Sequence, residues 1–104
     1  MTARPGKAEG MARLQIHELL NTGADDPTTG KELSDRTGMK RRNISAAVEQ
    51  ERRDGFPICA STDTTNPGYY LAADENELAG YIRSLKHRIA ELTATCEALE
   101  GATV

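Results

Sequence analysis

The sequence predicts a mainly α chain with a small β-hairpin, the α+β class, extended by a long C-terminal helix. Three observations lead there. Apolar residues recur at helical spacing through most of the first 54 positions. The period then changes to two short β-rich runs, 56–61 and 68–72, on either side of a polar, turn-rich stretch. Finally, a heptad stripe runs from Leu78 to Leu99. At 104 residues the chain has room for one domain with appendages.

Taken in order, residues 1–8 hold Pro5 and Gly6 without periodicity and are expected to form a frayed arm. The body is expected over 9–73. Its first helix, 9–21, rests on the spacing of Ala12, Ile16, Leu19 and Leu20, with Gly23 as the stop. Thr29 and Glu32 form a capping-box pair that opens a second, short helix ending near Thr37 and Gly38. Gly38 and Met39 make a tight turn. A third helix, 40–54, turns Ile44, Ala47 and Val48 inward and stops at Gly55. The hairpin follows. Asp74 and Glu77 then mark the start of the last helix, 74–100, and 101–104 is a fraying tail.

Composition narrows the function. The net charge of −3 argues against a protein that coats nucleic acid by bulk charge. The charge is uneven, however. Residues 1–57 sum to +1 and residues 58–104 to −4. Within the first part, 40–53 carries Lys40, Arg41, Arg42, Arg52 and Arg53 against Glu49 and Glu51, a local basic stripe that suits a specific binder. Cys59 and Cys96 lie far apart and outside any C-x-x-C, so they read as reduced packing residues of a cytoplasmic protein. The longest apolar run, 69–73, is far too short to span a bilayer, which needs about 20 residues. His17 and His87 stand alone on different predicted helices and read as surface residues. No nucleophile elbow, phosphate loop or H-E-x-x-H occurs, so neither an enzyme, a metal nor a cofactor is expected.

Two helices around a glycine turn, with Leu33, Met39, Ile44, Ala47 and Val48 turned inward, leave the opposite face of the third helix bare. That face carries Lys40, Arg41, Arg42, Asn43, Ser45, Ala46 and Glu49. A helix of this kind fits the major groove, about 12 Å wide, and reads bases from its N-terminal residues. Arg pairs with guanine and Asn with adenine, while small Ser45 and Ala46 permit close approach. The plainer reading of the same face is a solvated helix surface on a three-helix cluster.

The stretches Thr29-Gly-Lys-Glu-Leu-Ser-Asp-Arg-Thr-Gly-Met, Ile44-x-x-x-Val48, Gly55-Phe-Pro-Ile and Gly68-Tyr-Tyr-Leu resemble a winged helix-turn-helix of the biotin-repressor type, as found in bacterial and phage regulators. The resemblance covers roughly residues 10–72. It implies a domain that binds double-stranded DNA, with 40–54 as recognition helix and the hairpin loop as wing. Two features depart from that pattern. Glu51 stands three residues after Val48, where such domains carry an apolar residue; either looser packing of the C-terminal turn or pairing with a nearby Arg is expected to accommodate it. The wing has no Lys or Arg, so its contacts fall to Thr62, Thr64, Thr65 and Asn66 and to backbone N–H groups. The cation-free wing and the acidic C-terminal half keep a second reading open, a module that binds another protein, such as a phage-encoded inhibitor (an anti-CRISPR) or a replication adaptor.

In the last helix, Leu78, Ile82, Leu85, Ile89, Leu92, Cys96 and Leu99 alternate at spacings of four and three. Ile at a with Leu at d favours two-stranded parallel coils. Charges at e and g are sparse (Lys86, Arg88, Glu100) and specify orientation weakly. The expectation is a homodimer through this helix, presenting two recognition helices to the two halves of a pseudo-palindrome.

Overall fold

A computed structural model describes residues 15–104. Its elements are a 3-10 turn (Ile16–Leu19), α1 (Gly30–Thr37), α2 (Arg41–Arg53), β1 (Ile58–Ala60), β2 (Tyr69–Leu71) and α3 (Glu75–Glu100). The strands pair antiparallel with Cys59 opposite Tyr70. The chain is thus mainly helical with one small sheet. The arm expected over 1–8 and the start of the helix expected over 9–21 lie outside the described residues.

That first helix requires correction. Its described part is one 3-10 turn, after which Leu20 is extended and Thr22 bridges Leu71. The cause is Glu51. Its carboxylate reaches across from α2 and accepts from the N–H of Ile16 at 2.7 Å and of His17 at 2.8 Å. The chain is thereby anchored at a helix-like start. Beyond it, the backbone bonds go to the sheet, with Gly23 N–H donating to Leu71 and Leu71 N–H to Asn21.

The other starts and stops follow local chemistry. Thr29 and Glu32 close a complete capping box, and Gly38 ends α1 in the left-handed conformation at φ 77°. The Ser34 hydroxyl donates to the Met39 carbonyl at 2.6 Å and fixes the turn into α2. Asp74 caps Glu77 N–H, but the Glu77 side chain accepts from Ala73 and Ala24 instead, so this second box stays open and ties α3 to the loop before α1.

β1 divides the interior because its side chains alternate. Ile58 joins Ile16, Leu20, Leu33, Ile44 and Val48 beneath α1 and α2. Cys59 joins Tyr70 and Tyr81 beneath α3, with Leu78 and Leu85 packed against them. Arg52 links the two sides, donating to the Ile58 carbonyl and, at 3.0 Å, to the Tyr81 hydroxyl. The far edge of β2 is covered by Thr28, which exchanges two backbone bonds of 2.8 Å with Tyr69. After Leu85, every residue of α3 is exposed.

Candidate nucleic-acid interface

The core contacts of α2 decide what remains on its surface. Ile44, Val48 and Glu51 are buried on one side, so positions half a turn away must face solvent. Lys40, Arg41, Arg42, Asn43, Ser45, Ala46 and Glu49 are all exposed. The helical repeat divides them further. Arg42, Ala46 and Glu49 form the outermost stripe, and Arg53 continues it. Arg41 and Ser45 turn toward the hairpin. Asn43 lies on the opposite flank.

Between the Arg41 and Ser45 flank of α2, the start of α1 and the hairpin lies an open groove of about 560 Å³, bordered by Lys31, Arg41, Arg42, Ser45, Ser61 and Tyr69. Gly30 makes room for it. A Cβ at Gly30 would come within 2.7 Å of Arg41 Nε, so the guanidinium lies directly across the first turn of α1. Among the described residues, Lys40, Arg41 and Arg42 form no ion pair, whereas Lys31 is held by Asp35 at 2.9 Å.

Two basic residues of the predicted stripe behave differently. Arg53 is exposed. Arg52 is turned inward and its guanidinium is engaged with Ile58 and Tyr81, so it leaves the stripe. Among the described residues, no Arg pairs with Glu51 either. Glu51 instead takes the two backbone N–H groups and His17 Nδ1 at 2.9 Å. Nor is His17 a surface residue. Its side chain is 16% exposed and its ring stacks on Phe56 with centroids 3.7 Å apart. His87 does lie on the surface, beside Glu91.

In the hairpin loop Thr62, Thr64, Thr65 and Asn66 are exposed. The loop shapes itself internally. Asp63 accepts from the N–H and hydroxyl of Thr65, at 2.9 and 2.7 Å, and these bonds hold its carboxyl below the ordinary aspartate range. Asn66 donates to the Asp25 carbonyl at 3.4 Å. The groove is bordered by the hairpin's base, Ser61 and Tyr69, and not by these tip residues. Sequence reasoning missed Lys31, Ser61 and Tyr69 as neighbours of α2. The capping box is the signal that places Lys31 on the first turn of α1; the strand residues carry none.

Along α3, Leu78 and Leu85 are half-buried against the body, while Ile82 is 40% and Ile89, Leu92 and Leu99 are 60–69% exposed. Cys96 is exposed and Cys59 buried, so only Cys59 packs within the chain. Among the described residues, no His, Cys, Asp and Glu group is placed to hold a metal ion, and no helix is long and apolar enough to cross a membrane. Comparison with protein-family models, curated proteins and solved structures returned no match.

Proposed function

We propose that this chain is a winged helix-turn-helix protein that binds double-stranded DNA sequence-specifically as a homodimer and regulates transcription. One observation carries the reading: Lys40, Arg41 and Arg42 stand exposed and unpaired, among the described residues, at the start of a helix whose other side seals the core. The N-terminal end of a recognition helix is where base edges are met. Arg42, Ala46 and Glu49 occupy the outermost stripe and would face the bases. Arg41 and Lys31, beside the groove, would meet the backbone phosphates. The hairpin loop brings no cation, so affinity rests on α2 and the first turn of α1.

Selection from random duplex DNA supplies the ligand. Retention of the selected duplex should then fall below detection in the Arg41→Ala/Arg42→Ala double variant. Wild-type log affinity should fall linearly with log salt, each neutralised phosphate adding about 0.9 to the slope. A double variant that keeps its affinity, or a wild type that retains no duplex, overturns the proposal and turns attention to a protein ligand.

A further inference from the structure

The exposed apolar residues of α3 point to the direction in which two copies meet. Resting on the homodimer reading above, we propose that two chains pair antiparallel through residues 86–100, with Ile89 opposite the partner's Leu99 and Leu92 opposite the partner's Cys96.

The body imposes this. Leu78 and Leu85 lie on the same heptad stripe as Ile89, Leu92, Cys96 and Leu99, and both are packed against the cluster of Cys59, Tyr70 and Tyr81. At about 100° per residue, the free stripe continues, along the rod, the face that the body covers. A parallel partner would run beside α3 from its start and meet the space the body fills. An antiparallel partner uses only the free segment. In the stated register its last helical residue, Glu100, comes level with Arg88, three residues beyond Leu85, where the body ends, and reaches Lys86 diagonally across the seam. A register shifted by one heptad toward the N-terminus would bring Leu85 into the seam and drive the partner's tip into the body.

Charge agrees with geometry. Antiparallel pairing brings e positions of the two helices together, and in this register Lys86 faces the partner's Glu100, twice by symmetry. Among the described residues, neither Lys86 nor Glu100 has an ion-pair partner within the chain. In a parallel pair each would face a g position instead, Tyr81 for Lys86 and Thr95 for Glu100, with no charge to meet. The symmetry centre falls near residue 94. The centres of the two body contacts on α3 then lie roughly 38 Å apart along the rod, at a rise of 1.5 Å per residue. That is close to one turn of DNA, about 34–36 Å.

The test uses the full chain with Cys96→Ala as background, so that the only other thiol is buried Cys59. Ile89→Cys and Leu99→Cys variants are oxidised separately and as a mixture. The antiparallel register predicts a disulfide-linked heterodimer from the mixture and little homodimer from either alone. Because all three positions are exposed, folding is not at stake. Alongside, Lys86→Glu and Glu100→Lys should each weaken dimerisation several-fold, and the double reversal should restore it. Disulfide homodimers from each variant alone, with no rescue by the double reversal, mean a parallel coil: the homodimer stands and the orientation is overturned. A wild-type mass of 11.3 kDa in sedimentation equilibrium at high concentration overturns both.

Discussion

Glu51 occupies a position where the period of α2 calls for an aliphatic side chain, and its burial is accounted for by the N–H groups it satisfies. Replacing it with Leu would fill the space but leave the amides of Ile16 and His17 without acceptors, each costing about 1–3 kcal/mol. Glu51→Leu is therefore expected to lose about 3 kcal/mol in urea unfolding. Glu51→Gln keeps one acceptor oxygen and should lose less. A Leu variant as stable as wild type would refute this role. A second residue sets an alkaline limit. Burial, followed by the neighbouring Cys59 thiol, raises the Tyr70 hydroxyl to about 12. The folded chain then keeps a proton that the unfolded chain releases near 10.0, so stability is whole below that value and falls as pH climbs toward 12. Urea midpoints measured from pH about 9 to about 12 should drop more steeply for wild type than for Tyr70→Phe.

At the scale of elements, two glycines are expected to respond with opposite sign. Gly68 has φ 134°, and a Cβ there would lie 2.6 Å from the Thr28 carbonyl group. Gly68→Ala must break the exchange of bonds between Thr28 and Tyr69 that covers the β2 edge, a loss of about 2–3 kcal/mol. Gly80 is helical, and a Cβ there meets only the Arg83 side chain at 3.7 Å. Gly80→Ala should add about 0.4–1 kcal/mol, read as a higher melting temperature. What was legible in the sequence has the same local character. The capping box at Thr29, the left-handed Gly38 and the inward set Leu33, Ile44 and Val48 are signals carried within a turn or two, and α1 and α2 end within a residue or so of their expected limits. The described part of the helix expected over 9–21 differs because Ile16, Leu19 and Leu20 satisfy a 3-10 turn followed by an extended segment equally well. What decides between them is a carboxylate 35 positions away at the start of the turn and the backbone of Leu71 beside the segment after it, and neither leaves a periodic trace. Arg52 escaped for the same reason: a cation on a helix reads as exposed until the carbonyl of Ile58 is found beside it.

At the scale of the whole molecule, the exposed cations and the exposed apolar stripe of α3 are kept apart. The exposed Lys40, Arg41 and Arg42 belong to the body, while the acidic C-terminal half carries the rod. With a net charge of −3, non-specific attraction to DNA would be weak, so under the proposed function strong retention of an operator would depend on engaging two half-sites at once. Linking two bodies makes the second contact intramolecular and raises affinity by about 10²–10⁴-fold without any new contact to DNA. Ile89→Asp with Leu92→Asp tests this, since both side chains lie beyond the body and their loss removes no core packing. The variant should sediment as a monomer and bind a duplex with two half-sites about 10²-fold more weakly than wild type. Its affinity for a single half-site should be unchanged. Equal losses on both duplexes would mean that the rod supports the body instead of joining two of them, and no loss on either would remove association from the mechanism of DNA binding.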